Sequence, residues 1–196
     1  MSEKTAYHHG ALREALLQEG HDLLAETGPE QFSLNALARR VGVSPAAPYR
    51  HFTDRNHLID AIADAGYELF GAALGDAVRK ASDPGDAVRG IVRAYLSFAA
   101  THATYFSVMF RDRQDRPNAV GPPSFTTFAD AITAAQRSGH LNPHDDAAGI
   151  ARAIWAGVHG AAVLTSTGGF AKVGLAAPQE QLVEELVSPH LRTPPD

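Results

Sequence analysis

Apolar residues recur along most of this chain at intervals of three and four, the spacing of helices with one buried face. The first run covers about 9 to 27. Leu12, Leu16 and Leu23 share one face, Leu17 and Leu24 lie beside it, and Gly28-Pro29 stops it. Gly20 weakens this helix by about 1 kcal/mol relative to alanine, which predicts a close helix crossing there. A short second run begins behind Ser33, a predicted N-cap, with Leu34, Leu37, Ala38 and Val41 at helical spacing. Gly42 ends it, because glycine takes a left-handed backbone cheaply. Val43 plugs the turn, Ser44 is read as the cap of another helix, and Pro45 fits its first position, where no N–H is needed.

The remaining pattern is also helical. Asp54 is placed to cap a long helix over 55 to 81, with Leu58, Ile62, Leu69, Ala73 and Val78 recurring along it. Asp83-Pro84 opens the next, with Val88, Ile91, Tyr95, Phe98 and Ala99, ending near His102. A shorter helix carries Tyr105, Phe106, Met109 and Phe110. Residues 111 to 123, with mixed charge, three prolines and one glycine, read as a mobile loop. Phe125, Phe128, Ala129, Ile132 and Ala135 mark a helix over 124 to 138. Another runs from 144 to 167, broken by Gly168-Gly169. Residues 170 to 177 read as loop, and Pro178 opens a last helix to about 191. Residues 1 to 8 read as a mobile arm and the TPPD tail as frayed. No strand, internal repeat or coiled-coil heptad is visible. The fold class is all-α, with a three-helix N-terminal head and a C-terminal helical bundle.

The two short elements around Gly42 form a helix-turn-helix, the arrangement whose second helix lies in the DNA major groove. An ordinary helical hairpin has the same turn, so polarity decides. The second helix offers Ser44, Ala46, Tyr49, Arg50 and His51. Residues 33 to 55 carry four cations (Arg39, Arg40, Arg50, Arg55) and one anion, Asp54. That excess suits a phosphate backbone. Pro48 complicates the picture. It lacks the N–H that would bond Ser44 and pushes Ala47 away from the α region. The second helix is therefore expected to open irregularly or as a 3₁₀ turn, and to be regular only from about 48.

The chain resembles the tetracycline-repressor-like (TetR) family of transcription regulators. The resemblance rests on Leu16-Leu17, Leu23-Leu24-Ala25-Glu26-Thr27-Gly28, Leu37-Ala38, Val41-Gly42-Val43-Ser44, Tyr49-Arg50-His51-Phe52, Arg55 and Leu58-Ile59, over roughly residues 10 to 60. A second stretch, IWAGVHGAAVL at 154 to 164, resembles the Trp-His-Gly signature of one group of C-terminal domains in that family. The resemblance implies a DNA-binding domain over 1–55 and a ligand-binding and dimerisation domain over 56–196. Tyr49 is then expected on a backbone phosphate. Ser44, Pro45, Ala46 and Arg50 are candidates for groove or phosphate contact, while Ser33, His51 and Arg55 position the backbone. Arg55 stands where the family usually has lysine, and a phosphate there would face both it and the helix N-terminus.

The resemblance also implies a homodimer through helices 144–167 and 178–191, with Leu182, Leu186 and Val187 as the stripe on the last. A symmetric dimer reads a pseudo-palindromic operator with half-sites about 34 Å apart. A small-molecule effector, moving the 55 to 81 helix, would release the DNA; repression is the usual family outcome. Phe98, Phe106, Met109, Phe128, Trp155 and His159 are the candidate effector contacts. Read from the residues alone, the aromatics are core first and pocket second. His159, four residues from Trp155 on one helix face, is a hydrogen-bonded core histidine before it is a ligand.

Composition adds limits. With no cysteine, disulfides and Cys-ligated metal sites are excluded, which fits a cytoplasmic protein. The N-terminus lacks the apolar core of a signal peptide, and no stretch is expected to span a bilayer. The net charge of −5 runs against nucleic acid. Residues 1 to 55 hold six Lys/Arg and seven Asp/Glu, but the acids sit mostly on the first helix (Glu14, Glu19, Asp22, Glu26). Charge placement therefore decides. His8-His9 read as solvated. His140, His144, Asp145 and Asp146 have metal-ligand chemistry but cluster at a turn before a helix, where acids complement the dipole. No nucleophile elbow, P-loop or dinucleotide fingerprint is present. No enzyme activity, cofactor, metal or membrane partner is expected. Two other readings stay open: a helical small-molecule or metal-dependent enzyme without a DNA role, and a dimeric module whose head no longer binds DNA.

Overall fold

The structure is a computed structural model that describes residues 3–111 and 123–192, with side chains described over 11–111 and 125–192. Most of the predicted 111–123 loop, the TPPD tail and the side chains of His8 and His9 lie outside the described residues. Within them the elements are α1 (Glu3–Gln31), α2 (Leu34–Val41), a 3₁₀ turn (Pro48–Arg50), α3 (Arg55–Lys80), α4 (Pro84–Thr101), α5 (Ala103–Met109), α6 (Pro123–Arg137), α7 (Ala147–Ser166), α8 (Gly169–Lys172) and α9 (Gln179–Val187). No strand occurs among the described residues beyond an isolated antiparallel bridge between Leu141 and Leu191. The all-α class is as expected. The residues expected as an N-terminal arm are helical from Glu3 onward.

The chain divides into two compact units. The first comprises the described residues of Met1–Gly66 and Thr104–Pro117, the second those of Tyr67–Ala103 and Asn118–Asp196. The units meet between Gly66 and Tyr67, inside α3, and most of α5 belongs to the first unit.

In the first unit, Leu16, Leu37, Phe52, Leu58, Ile59 and Ile62 form the core. Gly28 interrupts α1 at φ 72°, where the sequence placed its stop. Gly20 permits the crossing it predicted: a Cβ there would lie 3.1 Å from Leu58 Cδ2 and 3.7 Å from Leu37 Cδ2. Gly66 serves α5 in the same way, since its Cβ would stand 3.0 Å from both Met109 Sδ and Tyr105 Cβ. Asp60, 8% exposed, is the one buried charged residue among those described. Arg111 pairs with it at 2.8 Å and also donates to the Asn56 carbonyl at 3.3 Å. A carboxylate is tolerated there because a guanidinium, itself held by a backbone carbonyl, accompanies it.

In the second unit, α4 packs against α6, α7 and α9. Asp83 caps α4 by accepting from Asp86 N at 2.8 Å. Val88, Ile91, Val92, Tyr95, Phe98 and Ala99 recur at helical spacing and give it one broad buried face. Leu182 and Val187 of α9 are buried within the protomer and Leu186 lies against Gly157, where a Cβ would come within 2.6 Å of its Cδ2. The stripe expected to face a second subunit therefore serves the protomer's own core. Helix α7 corrects another expectation. By length and composition it is apolar enough to cross a membrane, with a third of that stretch buried. Its buried residues, Ile150, Ala151, Ile154, Val158, Ala161 and Ala162, share one face, and apolar residues on the other face remain at the surface.

Candidate nucleic-acid interface

The head forms much as its sequence dictates until residue 44. Ser33, in extended conformation, accepts from Ala36 N at 3.2 Å and so satisfies an amide of the first turn of α2. Gly42 takes φ 77° and ψ 31°, and Val43 N returns to the Ala38 carbonyl at 2.9 Å. This is the left-handed stop that only glycine adopts without steric cost.

Beyond that point Pro48 takes control. In an α-helix the Ser44 carbonyl would accept from residue 48, which has no N–H. It accepts from Ala47 N at 2.9 Å instead, and the chain tightens into a 3₁₀ turn over Pro48–Arg50. Phe52 N to Pro48 O at 3.0 Å is a single α-type bond at its end. The irregular start was anticipated, but the regular helix expected from about 48 does not form. Ser44 closes the turn through its carbonyl rather than capping a helix through its side chain. Ala47 also departs from expectation. It stands at φ −64°, ψ −44°, in the α region that a following proline disfavours. The burial of Pro48 and Phe52 holds it there.

The consequence is a short knuckle anchored by Pro48 and Phe52, with Ser44, Pro45, Ala46, Tyr49 and Arg50 exposed round it. Tyr49 is 52% exposed. Arg39 is exposed on α2 nearby in sequence. The other cations are committed elsewhere. Arg40 pairs with Glu19 at 2.7 Å and Glu26 at 2.6 Å. Its hydrogen bond holds the Glu26 carboxyl below the usual range. Two of the acids that made the head near-neutral are thus engaged by one of its arginines. Arg55 is half-buried and donates to the Pro29 carbonyl, so it ties the start of α3 to the end of α1. His51 is half-buried. Asp54 caps α3 as predicted, accepting from His57 N at 2.8 Å.

The six candidate effector contacts do not form one set. Phe106 and Met109 belong to the first unit, where Met109 packs on Gly66. Phe98, Phe128, Trp155 and His159 belong to the second. Phe98 and Phe128 are buried, and Phe98 packs between Phe70 at 5.1 Å and His102, stacked at 4.6 Å. Trp155, 39% exposed, meets Phe125 edge-on at 5.9 Å. His159 Nδ1 lies 2.8 Å from the Tyr95 hydroxyl. Burial pushes the Tyr95 phenol up, so it stays a donor, and burial lowers His159, so its ring is kept neutral to accept. Sequence reasoning named His159 but not its partner, which is 64 residues away. A separate cleft of about 470 Å³ opens between the second half of α3 and α4. Ala77, Lys80, Gly90, Arg93 and Phe98 are among its lining residues. Only Phe98 of the six reaches it. Asp145 and Asp146 serve the turn and the α7 cap, with Asp146 accepting from Ala148 N at 3.1 Å. No cluster of three potential metal ligands occurs among the described residues.

A capped helix, a left-handed glycine turn and an exposed hydroxyl- and guanidinium-bearing knuckle, followed by a helical unit, define a helix-turn-helix regulator. The family model described as bacterial regulatory proteins, tetR family, matches residues 16–62, and that of the tetracyclin repressor-like C-terminal domain matches residues 88–189. The chain belongs to the TetR family of transcription regulators, which are transcription factors and not enzymes. A structure of a Rhodococcus sp. RHA1 protein of unknown function is 33% identical, with a TM-score of 0.79 over 95% of this chain and 98% of that one. An HTH-type transcriptional regulator of Mycobacterium tuberculosis is 27% identical over 68% of this chain. The match spans 61% of that relative's own length. The TetR-family regulator PfmR of Thermus thermophilus shares the fold, with a TM-score of 0.68 at 19% identity over 88% of this chain and 97% of that one.

Proposed function

We propose that this chain is a ligand-responsive regulator that binds a pseudo-palindromic duplex operator as a homodimer, and that a small-molecule effector in its second unit releases it. The observation that carries the DNA half is the knuckle. Its apolar residues point inward, while Tyr49, Arg50 and the 44–46 turn stand free on one side of the head. Tyr49 and Arg50 contact phosphate or groove; Ser33, His51 and Arg55 position the surface from behind. Arg55 holds the start of α3 through its bond to the Pro29 carbonyl. Such a protein works in the cytoplasm, where the DNA is.

The dimer rests on α7. Ala153, Ala156, Gly160, Val163 and Leu164 recur at helical spacing on its outward side, and all are exposed or half-exposed. A Cβ at Gly160 would meet nothing within 4 Å, so the glycine leaves room for another helix to approach. The effector half rests on the uncharged cluster of Tyr95, Trp155 and His159, to which Phe98 is joined through Phe70.

Selection of genomic fragments on the purified protein, at low and high salt, tests the reading. A recovered site with two-fold symmetry is expected. Arg50→Ala should lower affinity and reduce the salt slope by about 0.9 for each phosphate that the arginine neutralises. Selection of no sequence above background would sink it. Trp155 is the only tryptophan, so its emission reports effector binding directly.

A further inference from the structure

Val173 and Leu175 are the most exposed large apolar side chains among the described residues, at 67% and 65%. Their backbone is tightly organised. The chain leaves α7 through left-handed Gly168 (φ 68°), forms α8 and turns again at Gly174 (φ 74°). Leu175 N donates to the Phe170 carbonyl at 2.8 Å, Gly174 N to Ala171 at 3.2 Å, and Lys172 Nζ to Thr167 at 3.3 Å. Single exposed apolar residues are ordinary, but a contiguous set marks an interaction surface. The segment follows closely in sequence on Val163 and Leu164, which are exposed at the end of α7. Leu164 packs beneath the tip, where a Cβ on Gly169 would fall 2.7 Å from its Cδ2.

Area identifies the occupant. A stable dimer buries about 800 Å² on each partner. Helix α7 has 20 residues, and one face of such a helix, about 30 Å by 10 Å, offers roughly 300 Å². Helix α9 adds little apolar surface, because its outward residues are Glu180, Gln181, Glu184 and Glu185. Two of these are held by α4, Glu180 by Arg93 at 2.7 Å and Glu184 by Arg89 at 3.0 Å. The missing surface lies at the adjoining tip. We infer that residues 168–177 form an apolar clasp that seats Val173 and Leu175 on a second copy of this chain. The inference rests on the homodimer reading and adds to it a contact outside the two long helices.

Sedimentation velocity over a concentration series tests it with the full chain. Val173→Ser/Leu175→Ser is expected to raise the dimer dissociation constant at least tenfold, with the thermal unfolding of the diluted protein unchanged. The chain has no cysteine, so Leu175→Cys gives a single thiol whose maleimide labelling should slow as protein concentration rises. Gly160→Glu separates the two ideas. If it breaks the dimer while the serine pair and the labelling show no effect, the clasp is wrong and the α7 dimer stands. A wild-type chain that is monomeric at every concentration overturns both. Binding of the tip to phosphatidylcholine vesicles, abolished in the serine pair with the dimer untouched, would assign it to a lipid surface and overturn the clasp.

Discussion

At the residue scale, one missing hydrogen and one buried ring account for the least regular parts of the site. Pro48 denies the Ser44 carbonyl its α-helical donor, and the 3₁₀ turn is the result. Pro48→Ala returns that N–H. The knuckle should then lengthen into an α-helix over about 45 to 51, visible as downfield-shifted backbone carbonyl and Cα resonances. Stability should move by less than about 1 kcal/mol, because the new bond offsets the lost ring burial. Operator affinity should change with it, since Tyr49 and Arg50 would be re-aimed. His159 carries a pH prediction. Burial lowers its folded pKa below the ordinary 6.5. The unfolded chain therefore binds the proton more readily than the native one. The contribution to stability is complete above about pH 6.5 and falls away as pH drops through the folded value. Melting temperature should decline on going from pH 7.5 to 5.5, and the decline should be shallower in His159→Gln. Equal slopes in both proteins would remove His159 from the account.

At the scale of elements, legibility followed the range of the interaction that fixes each one. Ser33, Gly42, Asp54 and Asp83 act on neighbours within four residues, and each was readable because a cap or stop is a local device. Gly20 was readable as a crossing because glycine in a helix interior has a cost that something must offset. Gly157 and Leu186 meet only in three dimensions, and nothing in either helix said that α9 turns its apolar stripe inward. Gly157→Ala gains helix propensity of about 1 kcal/mol but must displace Leu186, and overpacking of this kind costs about 1–3 kcal/mol. A net loss of up to about 2 kcal/mol is expected, read from urea unfolding. Gly160→Ala meets no neighbour within 4 Å and should leave the protomer stable or slightly stabilised. Asp60, an acid inside Leu58-Ile59-Asp60-Ala61-Ile62, went unread in the sequence, because its partner Arg111 lies 51 residues away. Arg111→Met removes the guanidinium from that carboxylate, and since the pair is not fully buried a loss below the roughly 3–5 kcal/mol of fully buried broken pairs is expected. Asp60→Asn in the same background should recover part of it.

At the scale of the whole molecule, what the sequence withheld was the allocation of charge and of apolar surface. A net charge of −5 says little about a head in which Glu19 and Glu26 are taken up by Arg40. Counting cations over 33 to 55 likewise overstated the free ones, because Arg40 and Arg55 are engaged within the head. Among the described residues, Arg39 and Arg50 stay on the surface, and no such engagement is seen for them there. With few cations per head, the proposed dimer gains its purpose from the second head. If each copy supplies a small number of phosphate contacts, one half-site binds weakly, and joining two through α7 converts the second encounter into an intramolecular one. Geometry then governs affinity. Inserting five base pairs at the centre of a selected operator rotates one half-site by about half a helical turn and moves it to the far face of the duplex. Affinity should fall to that of an isolated half-site, while ten inserted base pairs, which restore the face but stretch the span by about 34 Å, should restore little of it. Gly160→Glu, which blocks the α7 face without touching the head, should bind the intact operator no better than the wild type binds the five-pair insert. A monomeric variant that keeps full affinity would show that each head works alone, and that two-fold symmetry is not how this chain holds its DNA.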